Sequence, residues 1–581
     1  MKQIKRTLKV VIPIAPFRML IYILLSLPGA ILPTVMCFFQ QQIIDQASHL
    51  QPERSFFYYR KPVLCLIGTY LIWKLFYFIA SQYMEFGYFQ YVLIGLDNLI
   101  HKKSAQISFE YYDNAVYYQT VQNAKQASMF LVFTTNLAIL SFLLIGNMLS
   151  VSGYLATLHP LLILFVGLIS IPVIIEKVQG AKLQSNLMQD SIQAVRRKKY
   201  AFELLSTANR KKEIAHYGAS HYIAEKYQAA CKEITEKEQN YIWKVGRNRL
   251  GFAGIKALFH GIAIVIMIWL VTTKRITIGA FSVLLTSFSI LTDAFTQICQ
   301  YAGEILQTST MAASFFTFMD LTIQDGTKQM ENKEEIARLQ NVSYQYQHTK
   351  ERALKNISFS IKKGETIAIV GENGAGKTTL AKLLSGFLLP TEGKMELGGI
   401  SREQLQEDSI FNLISAVYQE YGRYQLTVEQ NIYLGDTKKP IDREKIKESF
   451  VWAGLSLSKY PIDTLLGKEF GGIDFSGGQW QRLALGRSYY RKRPILFLDE
   501  PTASIDPFEE REIYKKLKEL AQKQTVVLVT HRLGAVQSAD RILVLHQGSL
   551  IETGNFTQLI EQKGYFYQIW KEQARWYQDI D

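Results

Sequence analysis

The chain has 581 residues, enough for more than one domain, and carries a net charge of +14 from 65 Lys and Arg against 51 Asp and Glu. Its four cysteines, Cys37, Cys65, Cys231 and Cys299, lack metal-ligand spacing, so they point to neither a metal centre nor a disulfide framework. The overall 48% hydrophobic content hides two unlike halves, with long apolar runs up to about residue 305 and a soluble α/β pattern after it. Next to such runs, the positive charge reads as the cytoplasmic Lys/Arg excess of a membrane protein, not as a nucleic-acid footprint.

The first nine residues bring Lys2, Lys5, Arg6 and Lys9 ahead of an apolar run. Further spans follow, so this start is expected to stay uncleaved on the cytoplasmic side. Apolar spans are predicted at roughly 18–40, 62–84, 129–150, 157–176, 251–272 and 279–302. Six spans leave the C-terminal half in the cytoplasm. Spans 2 and 3 are about 45 residues apart, and spans 4 and 5 about 75. Both connections are rich in helix formers. As helical hairpins they would project roughly 30–55 Å into the cytoplasm. Their tips fall near Phe109–Asn114 and Tyr217–Tyr222, where aromatic residues suit docking into a partner groove.

Ionisable residues inside spans are costly and mark candidate functional positions. Lys74, Lys256, His260 and Asp293 all fall roughly 18–24 Å from the outer face by helical rise. They are expected to form a polar belt on a water-filled substrate cavity, with Asp293 paired to Lys74 or Lys256. The expected division is a six-helix transmembrane domain over 1–305, a linker over 306–335 and an α/β nucleotide-binding domain over 336–581.

In the second half, Thr366–Val370 reads as a buried strand and Thr379–Leu384 as a helix start. Between them lies Gly371-Glu372-Asn373-Gly374-Ala375-Gly376-Lys377-Thr378. A strand, a glycine-rich turn and a helix N-terminus make a phosphate cradle, because backbone N–H groups and the helix dipole both favour an anion. Lys377 would reach the β- and γ-phosphates of ATP, and the Thr378 hydroxyl would ligate Mg²⁺. Tyr344 and Tyr346 lie about 25 residues upstream, where an aromatic ring can stack on adenine. The strand Pro494–Leu498 delivers Asp499 and Glu500, a pair suited to a metal ligand and a general base. Asp474-Phe475-Ser476-Gly477-Gly478-Gln479 is a second backbone cradle opening a helix, one more than a single ATP needs.

Taken together, these residues resemble the ATP-binding cassette transporters, and in layout the exporter half-transporters. The resemblance covers nearly the whole chain. Phe475–Gln479 is similar to the family signature, with Phe where Leu is usual. Asp499 and Glu500 resemble the Walker B pair, Gln419 the Q-loop, Ala503–Asp506 the D-loop and His531 the switch histidine. The resemblance implies a P-loop ATPase in which Gly371, Asn373, Gly374, Gly376, Lys377, Thr378 and Thr379 hold ATP and Tyr346 stacks on its adenine. Thr378, Gln419 and Asp499 would hold Mg²⁺, and Glu500 would polarise water. His531 would contact the γ-phosphate. Ser476, Gly477, Gly478 and Gln479, with Asp506, would complete the site of a second chain. Intact Glu500 and His531 fit a homodimer, or the competent half of a heterodimer.

Fusion of the two halves and the length of the hairpins favour export across the cytoplasmic membrane by alternating access. The segment Leu466–Asp474 and Trp480 look similar to bacterial exporters of modified peptides. A multidrug or lipid exporter is the alternative, and an ATP-gated channel or sensor a further one. Fewer than about 20 residues precede the first span, so no peptidase domain is expected ahead of it. Membrane lipid, a second half-transporter and the exported substrate are the partners expected, with no nucleic acid.

Overall fold

The computed structural model describes residues 2–48, 56–107, 111, 115–158, 161–322, 326–346, 349–502, 507–521 and 524–578. It divides into two compact units, Met1–Ala105 with Val116–Leu321, and Gln106–Ala115 with Thr322–Asp581.

The first unit is helical: α1 (Lys2–Ile14), α2 (Pro16–Ser26), α3 (Pro28–Ser48), α4 (Phe56–Gln82), α5 (Gln90–Ser104), α6 (Ala115–Leu158), α7 (Leu161–Ser206), α8 (Ala208–His216), α9 (Ser220–Thr272) and α10 (Ile278–Met319). Five stretches among the described residues are long and apolar enough to cross a bilayer: Pro16–Ser48, Arg60–Ser104, Thr120–Leu158, Ser220–Thr272 and Ile278–Met319. The expected span over 157–176 falls on the end of α6, on residues 159–160, which lie outside the described residues, and on the start of α7. That start is helical, but its first side chains lie outside the described residues. Helices α7 and α9 have 46 and 53 residues. At 1.5 Å per residue each is more than twice the ~30 Å of a hydrocarbon core. They pack along one another, as a helical hairpin should.

The tip of that hairpin exposes Tyr217 and Tyr222. In the other expected tip, Phe109, Glu110, Tyr112, Asp113 and Asn114 lie outside the described residues. The short segment Gln106–Ala115 belongs to the second unit. There the Tyr111 hydroxyl meets Thr322 Oγ1 at 3.2 Å. Helix α10 continues to Met319, so the first part of the expected linker over 306–335 is helix. The start of α10 is capped twice. Thr277 Oγ1 accepts from the Ala280 amide, and Asp45 of α3 accepts from the Gly279 amide at 2.7 Å and from the Thr277 hydroxyl at 3.0 Å.

Between α4 and α5, residues Tyr83–Phe89 form a π-helical segment, a feature not legible in the apolar pattern. A π turn displaces a backbone carbonyl from its regular partner. Here Arg18 Nη1 donates to Gly87 O at 2.5 Å, and the guanidinium stacks on Tyr91.

Among the described residues the second unit has ten strands: β1 (Glu335–Tyr344), β2 (Leu354–Lys362), β3 (Thr366–Val370), β4 (Glu392–Leu397), β5 (Ile400–Ser401), β6 (Ile414–Val417), β7 (Ile495–Asp499), β8 (Thr525–Val529), β9 (Arg541–His546) and β10 (Ser549–Gly554). Its helices are α11 (Lys377–Leu384), α12 (Glu407–Phe411), α13 (Val428–Tyr433), α14 (Arg443–Trp452), α15 (Gly477–Arg491), α16 (Pro507–Ala521), α17 (Phe556–Gln562) and α18 (Tyr565–Gln578). An antiparallel sheet runs β2-β1-β4-β5, and a six-stranded sheet runs β10-β9-β3-β8-β7-β6. In the larger sheet β9, β3, β8, β7 and β6 are parallel. Strands β3, β7 and β8 are buried almost throughout, as continuous apolar runs require when both faces are covered. The helical part around α13, α14 and α15 is tied to β6 by Arg491. Its guanidinium donates to Ile414 O at 2.9 Å, Gly435 O at 2.7 Å and Phe411 O at 2.6 Å.

Candidate functional site

Strand order explains why distant residues meet. Parallel neighbours β3, β8, β7 and β6 end on one edge, where ligands of open α/β sheets bind. The phosphate loop follows β3, His531 follows β8, Asp499 and Glu500 end and follow β7, and Gln419 follows β6.

The phosphate loop enters α11 at Lys377. Gly376 precedes it at φ +97°, and a Cβ there would lie 2.6 Å from Ala353 O, so only glycine fits. Lys377 Nζ turns back on its own loop and donates to Gly371 O at 2.9 Å and Glu372 O at 2.8 Å. Burial lowers the pKa of this amine, while Glu500 and Asp499 act in the opposite sense. Thr378 and Asn373 are exposed, and Thr379 is buried. Tyr346 joins Thr379 through a hydroxyl–hydroxyl contact of 3.1 Å, and its ring packs edge-on against Tyr344.

Glu500 is the hub. It takes φ +45°, unusual for a residue with a side chain. Gln419 Nε2 donates to its Oε2 at 3.0 Å, and His531 Nδ1 lies 3.0 Å from its Oε1. Gln481 Nε2 donates to its backbone carbonyl at 2.9 Å. The sequence reading missed Gln481; its place two positions after Gln479, on the buried side of a helix opening, was the available sign.

Asp499 is buried, and its Oδ1 has no hydrogen-bond partner. Burial first, and the neighbouring Glu500 second, push its carboxyl up to about 6; Lys377 and Lys382 pull the other way. A buried unpaired carboxylate oxygen at the strand end, on the edge that also bears the phosphate loop with its exposed Thr378, suits a hard cation that completes its shell with phosphate oxygens and water. Among the described residues no cluster of three His, Cys, Asp or Glu could hold a metal alone. Asp499 and Thr378 therefore fit a cation carried in with a phosphate ligand.

At the second cradle, Ser476 and Gln479 form a reciprocal capping box at the start of α15. Ser476 is exposed, and Gly477 and Gly478 are half-buried. Phe475 is buried between Tyr460 and Trp480, with ring centroids 4.9 and 5.7 Å away. The departure at this position is thus a packing feature of an aromatic cluster. Two contacts staple α15 to the loop after Gln419. Tyr421 donates to Gly477 O at 2.8 Å, and Arg487 donates to Gly422 O at 2.7 Å. Asp506 lies outside the described residues.

In the first unit, the expected polar belt is rearranged. Lys256 Nζ pairs with Glu176 at 2.6 Å, not with Asp293, and Arg249 reaches the same carboxylate at 3.8 Å. The sequence reading did not weigh Glu176. It sits on α7, where an acid directly follows an apolar run. His260 packs edge-on against Phe288 at 4.6 Å. Lys74 is exposed with its ammonium over Trp73 at 4.7 Å, and Asp293 is exposed. A cavity of about 530 Å³ lies between α7, α9 and α10, lined by Glu176, Lys177, Arg249, Gln300 and Glu304 among others. Of the four expected residues, Lys256 alone adjoins this cavity, through Glu176.

Residues 354–503 match the family model described as ABC transporter. The chain is similar to the subtilin transport ATP-binding protein SpaT of Bacillus subtilis, 27% identical over 99% of this chain and 96% of that one. It is 29% identical to an ATP-dependent lipid A-core flippase of Alcanivorax borkumensis over 62% of each chain. It is 36% identical to the nisin transport ATP-binding protein NisT of Lactococcus lactis over 42% of this chain and 41% of that one. A solved bacterial Atm1-family ABC exporter with ATP bound has the same fold, with a TM-score of 0.80 at 20% identity. It covers 96% of this chain and 99% of that one.

Phe475→Leu should keep most ATPase activity, because the backbone of the second cradle is unaltered. Phe475→Ala should lower cassette stability by about 3 kcal/mol or more through the cavity it leaves, read as a drop in melting midpoint.

Proposed function

We propose that this chain, which carries an ABC transporter cassette behind a helical membrane unit in the layout of an exporter half-transporter, drives a modified peptide out of the cytoplasm by ATP hydrolysis. The convergence of Gln419, His531 and Gln481 on Glu500, at the edge that also bears the phosphate loop, carries the ATPase part of this reading. Similarity along nearly the whole chain to a subtilin transport protein supports the peptide part. Export of a lipid is the second reading, supported by the lipid A-core flippase among the relatives.

In this mechanism Lys377 leaves its two loop carbonyls and turns to the ATP phosphates. Such a group is held ready by weak local bonds and released by a stronger charged partner. Glu500 polarises the attacking water, oriented by Gln419 and His531. Thr378, Asp499 and Gln419 would hold Mg²⁺, which neutralises developing phosphate charge. Ser476, Gly477, Gly478 and Gln479, with Asp506, serve the ATP bound by a second half-transporter, so two chains complete two sites. A homodimer satisfies this requirement, and a heterodimer satisfies it equally. Tyr421 and Arg487 pass the state of the Gln419 loop to α15. The N-terminus and the cassette lie on the cytoplasmic side of a multi-pass protein in the cell membrane. The 530 Å³ cavity with its Glu176–Lys256 pair receives the cargo.

The Asp499 carboxyl sets a pH dependence. Its pKa of about 6 lies above the ordinary 3.8, so the proton is taken up as the pH falls through about 6. A proton competes with the cation. The Mg²⁺ concentration for half-maximal ATP hydrolysis should rise about fourfold between pH 7.5 and 5.5, and Asp499→Asn should remove that component of the shift. Inverted membrane vesicles should accumulate a modified peptide against its gradient when given ATP, and Glu500→Gln should abolish this while ATP still binds. Accumulation that persists in Glu500→Gln, or peptide flux that only runs downhill, would sink the exporter reading.

A further inference from the structure

Glu500 and His531 meet at 3.0 Å, but they stand on two separate loops, one after β7 and one after β8. The Glu500 amide donates to Val529 O at 2.9 Å, which sets the end of β7 on β8. His531 comes two residues after that acceptor, beyond the strand. A second link joins the two loops through α16. Glu510, in the first turn of α16, turns its two carboxylate oxygens to different partners. Oε1 accepts from the hydroxyl of Thr502, a buried residue two positions after Glu500, at 2.9 Å. Oε2 pairs with the guanidinium of Arg532, the residue after His531. The Arg532 amide in turn donates to Thr530 Oγ1 at 3.0 Å, so the chain turns tightly at His531.

The Glu510 and Arg532 side chains are 14% and 33% exposed, which separates them from ordinary surface pairs. Removing one partner would leave the other charge poorly solvated. Glu509, the neighbouring acid, is 49% exposed and pairs instead with Arg482 of α15 at 2.9 Å. We infer that Glu510 is a positioning residue for ATP hydrolysis. Through Arg532 it sets where the loop after β8 presents His531, and through Thr502 it refers that setting to the loop that carries Glu500. The phosphate loop is supported separately, by the close approach of Gly376 to Ala353 O and by the Gly548 amide, which donates to Ala375 O at 3.2 Å. Loss of Glu510 then slows hydrolysis without weakening ATP binding.

The inference rests on the reading that Glu500 and His531 act together on the attacking water, so the two are tested apart. ATP hydrolysis by the full-length protein in proteoliposomes is measured per ATP-binding site, with the sites titrated by a non-hydrolysable ATP analogue. Glu510→Ala and Arg532→Gln are each expected to lower kcat about tenfold, with KM for ATP changed less than about twofold. The double variant should lose no more than either single one. Arg532→Lys, which keeps the charge, should hold kcat within about threefold of the unaltered chain. Glu509→Ala, which removes an acid from the same helical turn without reaching Arg532, should keep kcat within about twofold. An unchanged kcat in Glu510→Ala or Arg532→Gln, additive losses in the double variant, a loss confined to KM, no recovery in Arg532→Lys, or an equal loss in Glu509→Ala overturns the inference. Undiminished hydrolysis by Glu500→Gln overturns the parent reading, whatever Glu510 does.

Discussion

Glu500 is held at φ +45° at the end of a buried strand, with Gln419, His531 and Gln481 closing on it from three other elements. Nearly everything else in the cassette follows from keeping it there. A carboxylate in the role proposed for Glu500 must not rotate away from the water it polarises. The side chains of Gln419 and His531 grip the two carboxylate oxygens, while Gln481 holds the backbone. Because β8 separates β3 from β7, the histidine after β8 falls between the phosphate loop and the acid. The sheet order is thus the condition for the chemistry.

The same economy links the site to its surroundings. Helix α15 carries the second cradle at its start, Gln481 in its first turns and Arg487 further on, so one rigid element touches the second cradle, Glu500 and the Gln419 loop. In the membrane unit, α7 and α9 run far past a bilayer's thickness. Long helices of this kind carry displacement along their length with little loss, and the cavity lined by Glu176 and Arg249 lies along them.

The cassette was legible in the sequence because its function rests on local backbone chemistry. Glycines at fixed spacing before Lys377, a Ser476–Gln479 capping box and an apolar strand ending in Asp499 and Glu500 each declare a local shape before any tertiary contact is known. The membrane unit was legible only coarsely. Hydropathy marks helices but not which faces meet, so the partner of Lys256 was sought in Asp293 and found in Glu176, on a helix that periodicity could not place beside it. The π segment at Tyr83–Phe89 leaves the apolar pattern intact and is silent in sequence. Gln481 escaped notice because an ordinary Gln on a helix gains meaning only from what it touches.

The central claim is that the phosphate loop of one chain works with the Ser476–Gly478 cradle of another. Two copies joined in tandem test it directly, with ATP hydrolysis as the readout. Lys377→Ala in one copy and Gly478→Asp in the other should leave one complete site and about half the activity, if sites are shared between copies and act independently. Both substitutions in the same copy should leave none. The reverse result, activity only when both fall in one copy, would contradict the account.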